Sequence, residues 1–512
     1  MRTRDGVELA TTVRLPRTGA RHPVLLVRTP YGRDTVPGPG LRLDVERLVE
    51  AGYAVVVQDV RGTGESDGEF RVFTGEAEDG HDAVRWAATQ PWSDGNVGMF
   101  GDSYLGLTQL LAAQERPEGL RAIAPSLTPG SYREIVYEGE VVTLNKILTV
   151  CAMTFALDEL RRRIRSGTAE PVAEAEYLAG LGFPDRFPQR MRELAERLPL
   201  SDQPLLNDLM PGYAAWMEHP DPGAAVWRGG TFDYPRIEVP ALVSTGWHDF
   251  FRDAAIRHFQ RLGGSSRLIV GPWTHISHGR DIFGRDYGPA ASQEAIDWTG
   301  LHLAWFDHWL RGSPLDGPAV RYFVMGADEW RDSPRWPVAA RRVPYHLGQG
   351  GVLSTTPSHG TWEFAADPGD PVPTAGGAVM DFTGFGPLDQ RPLDGRADVL
   401  RFASAPLVGD MEVTGRAELV VRMSTTAPTA DVTGKLVDVH PDGRAELLTD
   451  AVTRAVGGEV VVDLGWISTV FRAGHRIRVD VAGSNFPKYA RNPDKGMTTI
   501  HSPSYVMLPI RS

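Results

Sequence analysis

The serine in Gly101-Asp102-Ser103-Tyr104-Leu105-Gly106 has the surroundings a nucleophile needs. The spacing is G-x-S-x-x-G, one residue longer than the G-x-S-x-G of a nucleophile elbow. Residues 97–101 predict a strand and 107–113 a helix of small residues. A strand–turn–helix with serine at its apex strains the serine backbone. It also lifts the hydroxyl above the sheet and aims the first helical N–H groups at the same point. The competing reading of Ser103 is a plain helix cap; the flanking strand and helix favour the nucleophile.

A serine hydroxyl needs a base within hydrogen-bond reach. The chain has 14 histidines, so position must discriminate. In open α/β sheets ligands sit at the carboxyl ends of the strands. His275 follows the strand expected at 267–271 and comes after Ser103, as a hydrolase order requires. His278 is the nearest rival, but a His275-x-x-His278 metal pair lacks a third ligand nearby. His302 and His308 lie in a helix with Trp305 and Trp309, and His22 precedes a strand at its wrong end. Asp249, after the strand expected at 240–245, is the candidate to hold the imidazole tautomer. Its alternatives are a helix-capping role for Asp249 itself and the decoy Asp253.

The elbow supplies one oxyanion donor, the Tyr104 amide. The second belongs in the loop after the first core strand, Thr29-Pro30-Tyr31-Gly32, which has no HGGG motif. The Tyr31 phenol could donate there, or the ring could simply pack in a turn. The Gly-rich run Gly62-Thr63-Gly64-Glu65-Ser66-Asp67-Gly68 has no following Gly-Lys-Ser/Thr and is no P-loop. It is read as a turn beneath the active site.

These residues need a scaffold, and the first 130 residues provide it. Strands expected at 23–29, 53–58, 97–101 and 120–124 alternate with helical spacing at 43–50 and 76–89. That alternation implies a parallel sheet covered on both faces. Residues 131–232 read as helices, at 141–165 and 188–197, with no clear strand. The α/β pattern resumes over 233–335, with a helix at 296–310. Residues 336–512 carry short β runs and turns such as Pro441-Asp442-Gly443, which suggests a β-sandwich or jelly roll. The expected division is therefore an α/β domain in two parts (1–130 and 233–335), a helical insertion (131–232) and a β domain (336–512).

Composition narrows the function. The net charge of −12 argues against nucleic acid as a partner. Apolar residues make up 42% and charged residues 23%, as in an ordered globular chain. No run suggests a membrane span or a signal peptide, so a cytoplasmic location is expected. The single cysteine, Cys151, excludes an internal disulfide and a Cys-based zinc site.

The chain resembles the cocaine-esterase / X-Pro dipeptidyl-peptidase family of serine hydrolases (CocE/NonD hydrolases). The matching residues include Arg4-Asp5-Gly6-Val7-Glu8-Leu9, Thr29-Pro30-Tyr31-Gly32-Arg33 and Gln58-Asp59-Val60-Arg61-Gly62-Thr63-Gly64-Glu65-Ser66. They continue with Trp92 to Gly106, Gly246-Trp247-His248-Asp249, Gly271-Pro272-Trp273-Thr274-His275 and Trp305-Phe306-Asp307-His308-Trp309-Leu310. Leu436-Val437-Asp438-Val439 and Ser484-Asn485-Phe486-Pro487 extend the match almost end to end. The resemblance implies an α/β hydrolase with an inserted helical cap and a C-terminal all-β jelly-roll domain. It puts nucleophile, acid and base on Ser103, Asp249 and His275, and the oxyanion hole on Tyr31 and Tyr104.

The expected chemistry is acyl transfer from a small ester or amide to water through an acyl-enzyme, of carboxylesterase or acylase type. It requires no metal and no cofactor. Trp216, Trp227 and Phe251 are candidates for an apolar acyl site. Asp381 is the candidate to hold a substrate amine, as an X-Pro dipeptidyl-peptidase or aminoacyl hydrolase would need. The alternatives are that peptidase, an acyltransferase or cyclase with the same triad, and a carbohydrate-binding protein with an inert hydrolase domain. A homodimer is left open.

Overall fold

The computed structural model describes residues 1–33, 42–380 and 384–511. Nine strands form the first sheet: β1 (Thr11–Arg14), β2 (His22–Thr29), β3 (Ala54–Asp59), β4 (Ser93–Asp102), β5 (Leu120–Ser126), β6 (Leu242–His248), β7 (Arg267–Thr274), β8 (Val320–Val324) and β9 (Glu329–Ser333). Their spatial order is β1-β3-β2-β4-β5-β6-β7-β8-β9. β1 and β9 pair antiparallel at the two edges; every pairing between them is parallel. All eight residues of β2 are buried. Val24 and Leu26 face one core, Leu25 and Val27 the other, because successive side chains leave opposite faces. Both faces are therefore covered, as uninterrupted apolar strands require.

Between β5 and β6 the chain leaves the sheet and forms a helical layer over its carboxyl rim. After a short helix, Tyr132–Val136, comes a small hairpin, Tyr137–Glu138 with Val141–Val142, where the sequence suggested no strand. The long helix expected at 141–165 starts at Leu144 and runs on to Arg165, interrupted by a π-helical turn at Cys151–Phe155 between Leu144–Val150 and Ala156–Arg165. A π-turn widens a helix by one residue and often marks a functional wall.

Ten further strands between Arg341 and Arg511 are hydrogen-bonded into one continuous sheet. The sheet folds over on itself. A Cβ at Gly434 would meet Leu419, Val462 and Leu464 from the facing layer. The seam with the first sheet is aromatic and polar. Trp336 packs between Trp247 and Trp466, with ring centroids at 5.9 and 5.5 Å. Among the described residues no helix is long and apolar enough to cross a membrane.

Candidate active site

β4 ends at Asp102, and the helix Tyr104–Gln114 starts one residue after Ser103. Ser103 sits at φ 58°, ψ −118°, a conformation that costs a side-chain-bearing residue about 1–3 kcal/mol. Its side chain makes no capping bond to the helix, so the cap reading is not what holds it there. Two glycines permit the turn. Gly101 has φ 135°, and a Cβ on Gly106 would lie 1.9 Å from Thr128 Oγ1.

Ser103 and His275 line one cavity of about 640 Å³. β7 runs to Thr274, longer than the sequence suggested, so His275 is the first residue past the strand. Its Nδ1 lies 2.8 Å from Asp249 Oδ1. Asp249 follows β6 and is buried; its Oδ2 accepts from Thr245 Oγ1 at 2.8 Å and its Oδ1 from the Phe251 amide at 3.2 Å. The carboxylate is thereby aimed and desolvated together with the imidazole. The next helix begins only at Arg252, with Phe251 at its cap position. Phe250 stacks on the His275 ring at 4.1 Å and Phe251 meets it edge-on at 5.5 Å.

Tyr31, half-buried, lines the same cavity, and its hydroxyl is hydrogen-bonded to the Ser103 side chain and the Tyr104 backbone. Burial pushes its phenol up to about 12, so it remains a proton donor at neutral pH. Behind the elbow, Tyr104 Oη donates to Glu76 Oε1 at 2.8 Å. Glu76 pairs with the buried Arg28 at 2.8 Å, and Arg28 also donates to Gln58 at 3.0 Å. Burial raises the Glu76 carboxyl, and the Arg28 charge opposes that rise.

The remaining candidates divide. Trp216 and Phe251 line the cavity. Trp227 does not; it is buried behind the wall, edge-on to Tyr132 at 5.2 Å and Tyr137 at 5.9 Å. It is a core residue because the insertion needs its own apolar centre. Asp381 lies outside the described residues. The decoy Asp253 faces the β domain and accepts from the Trp466 amide at 2.9 Å. His278 does line the cavity, yet its Nε2 has no hydrogen-bond partner among the described residues, whereas His275 has Asp249. His302 and His308 bond backbone carbonyls of Trp298 and Ser313. The Gly62–Gly68 turn is not beneath the site. It follows β3 on the same rim of the sheet, where Asp158 of the insertion approaches the Gly64 amide at 3.3 Å.

Two cavity residues escaped the sequence reading. Arg42 donates to the His275 carbonyl at 2.7 Å and lies 3.4 Å from Asp102, tying the histidine loop to the elbow. Lys146 stands among Leu144, Ile147 and Leu148 on an apolar helix, a placement that could have singled it out. Val150, just before the π-turn, and Met153 and Phe155, within it, complete the apolar wall.

The family model "X-Pro dipeptidyl-peptidase (S15 family)" matches residues 5–277, more than half of the chain. The chain belongs to this family of serine hydrolases. A second model, the X-Pro dipeptidyl-peptidase C-terminal non-catalytic domain, matches residues 315–507. A cocaine esterase of Rhodococcus sp. (strain MB1 Bresler) is 36% identical, over 99% of this chain and 97% of that protein. An aminopeptidase of a marine-sediment Thaumarchaeota archaeon aligns with TM-score 0.79 at 22% identity, covering 100% of this chain and 95% of its own. An α-amino acid ester hydrolase aligns with TM-score 0.78 at 23% identity, covering 99% and 95%. These two show the shared fold. Together the matches make this S15-family member a serine hydrolase of esters or amides, an α/β hydrolase joined to an all-β domain, as the sequence motifs implied.

Proposed function

We propose that this hydrolase cleaves esters of small, largely apolar acyl groups, with Ser103 as nucleophile. His275 takes the Ser103 proton as Oγ bonds to the ester carbonyl carbon. The carbonyl oxygen becomes an oxyanion held by the Tyr31 hydroxyl and the Tyr104 amide. His275, kept in one tautomer by Asp249, gives its proton to the leaving alkoxide as the C–O bond breaks. Water then attacks the acyl-enzyme by the same sequence, releasing the acid and restoring Ser103.

The observation that carries this reading is the 2.8 Å Asp249–His275 contact beside Ser103 in a cavity that also holds the Tyr31 hydroxyl. An ester is favoured over an X-Pro peptide by the lining. A dipeptidyl-peptidase must neutralise a substrate ammonium. Among the described residues the one carboxylate on the cavity wall is Asp102, already beside Arg42, and the wall carries the cation Lys146. The proposed location is the cytoplasm, in line with a lone, buried cysteine that needs no oxidising compartment.

The test is a panel of chromogenic esters and aminoacyl anilides, run with wild type and Ser103→Ala, together with a fluorophosphonate label. Esters should turn over faster than anilides. Ser103→Ala should fold, melt near wild type, lose turnover and lose the label. Turnover retained in that variant would remove the proposal.

A further inference from the structure

The basic residues of this chain are almost all arginine; its four lysines are Lys146, Lys435, Lys488 and Lys495. Three of them have close partners. Lys435 donates to Gln390 at 2.9 Å, Lys488 pairs with Asp450 at 2.9 Å, and Lys495 pairs with Asp367 at 2.7 Å. Lys146 differs. It is 5% exposed, and its one hydrogen bond among the described residues is a long one, 3.4 Å to the Glu134 carbonyl. No carboxylate of those residues comes within salt-bridge distance of it. Its Nζ lies over the Phe251 and Phe250 rings at 4.9 and 5.2 Å. Those rings attract a cation but accept no full hydrogen bond.

An ammonium has three N–H donors, and burying them unpaired is costly. Here the amine stands on the wall of the catalytic cavity. Phe251 touches both groups: Lys146 Nζ lies over its ring, and the His275 ring meets it edge-on with centroids 5.5 Å apart. Toward this cavity its neighbours on the wall, Ile147, Val150 and Phe250, are apolar; on its other side the amine borders a small polar cavity with Glu138 and Asp249, neither within salt-bridge distance. A group that entered with the substrate and ended in an anion would satisfy the amine where the protein does not.

We infer that Lys146 binds a carboxylate at the far end of the acyl group, so that the preferred substrates are monoesters of short dicarboxylic acids. This rests on the serine-hydrolase reading above and narrows it: the acyl chain runs along the Phe251 wall, its ester carbonyl at Ser103 and its free carboxylate at Lys146. Burial lowers the Lys146 ammonium to about 8, so it is largely charged at neutral pH and ready for an anion.

The experiment compares the p-nitrophenyl monoester of adipic acid with p-nitrophenyl hexanoate and with the methyl-capped p-nitrophenyl adipate, each corrected for enzyme-free hydrolysis. In wild type, kcat/KM for the free acid should exceed that for both neutral esters by about tenfold or more, the scale of one charge-assisted hydrogen bond. In Lys146→Met that ratio should fall by about tenfold or more. A wild-type ratio near or below one overturns the inference without any variant. So does equal preference for the acid and its methyl ester, or an equal loss on all three esters in Lys146→Met. Failure of the underlying reading looks different: no ester turns over in wild type and Ser103 takes no fluorophosphonate.

Discussion

The Tyr104 hydroxyl and the Glu76 carboxylate meet at 2.8 Å, so the residue whose amide faces the proposed oxyanion is moored by its own side chain. Arg28 holds the other carboxylate oxygen at 2.8 Å, and both charges are buried. Glu76→Gln should therefore leave a buried guanidinium without its counter-charge. The expected loss is about 3–5 kcal/mol in urea unfolding. Turnover should fall as well, because the elbow loses its anchor. A loss under about 1 kcal/mol would mean that Arg28 finds another partner.

Removing one hydroxyl tests the oxyanion site. Tyr31→Phe should lower kcat by about 10²–10³ with little change in KM, since the donor acts on charge that develops only in the transition state. Melting temperature should hold. Steady-state kinetics on a good chromogenic ester decides it, and an unchanged kcat assigns Tyr31 to packing.

The crowding at Gly106 gives a steric test. A Cβ there would lie 1.9 Å from Thr128 Oγ1 and 3.2 Å from the Ser126 carbonyl. Gly106→Ala should cost about 1–3 kcal/mol by overpacking. Thr128→Ala in the same chain should recover part of it, because contacting residues do not add independently. Chemical denaturation of both single variants and the double variant measures the coupling.

Acid should destabilise the fold through two buried histidines. His248, bonded to Tyr287, and His258, bonded to Tyr234 and to the Pro129 carbonyl, are both lowered by burial from 6.5 to about 4. They stay neutral in the fold but take up protons in the unfolded chain. Stability should therefore be full above about 6.5 and fall as pH drops from 6.5 toward 4. The slope approaches ~1.4 kcal/mol per pH unit for each histidine. Urea melts across this range, repeated with His258→Gln, should show a shallower slope in the variant.

Residues that take their place from a strand end could be read in the sequence. Ser103, Asp249 and His275 each follow an apolar run, and the parallel sheet carries all three to one rim. Asp249 and Asp253 are separated by a single turn of chain, and only the three-dimensional packing shows that one faces the imidazole and the other faces Trp466. Trp216 and Trp227 look alike as sequence. They part because the insertion folds around its own centre, with Trp227 inside and Trp216 on the inner surface. Lys146 carried a signal, a lone cation on an apolar helix, but Arg42 did not. Arg42 reaches the site from a segment whose path depends on contacts far along the chain, such as that with the His275 carbonyl.

Arg252, three residues after Asp249, sends its guanidinium across the seam to the Leu464 carbonyl at 3.1 Å and Thr449 Oγ1 at 3.2 Å. A chain cut before the β domain would leave that cation only Asp253 and the Trp247 carbonyl, at the base of the loop bearing the proposed triad carboxylate. Among the described residues the β domain lines the cavity only through Met380, yet it completes the guanidinium's partners behind the proposed acid. Swapping it for a relative's would have to reproduce those two acceptors, or the hydrolase half would inherit a defect at its centre.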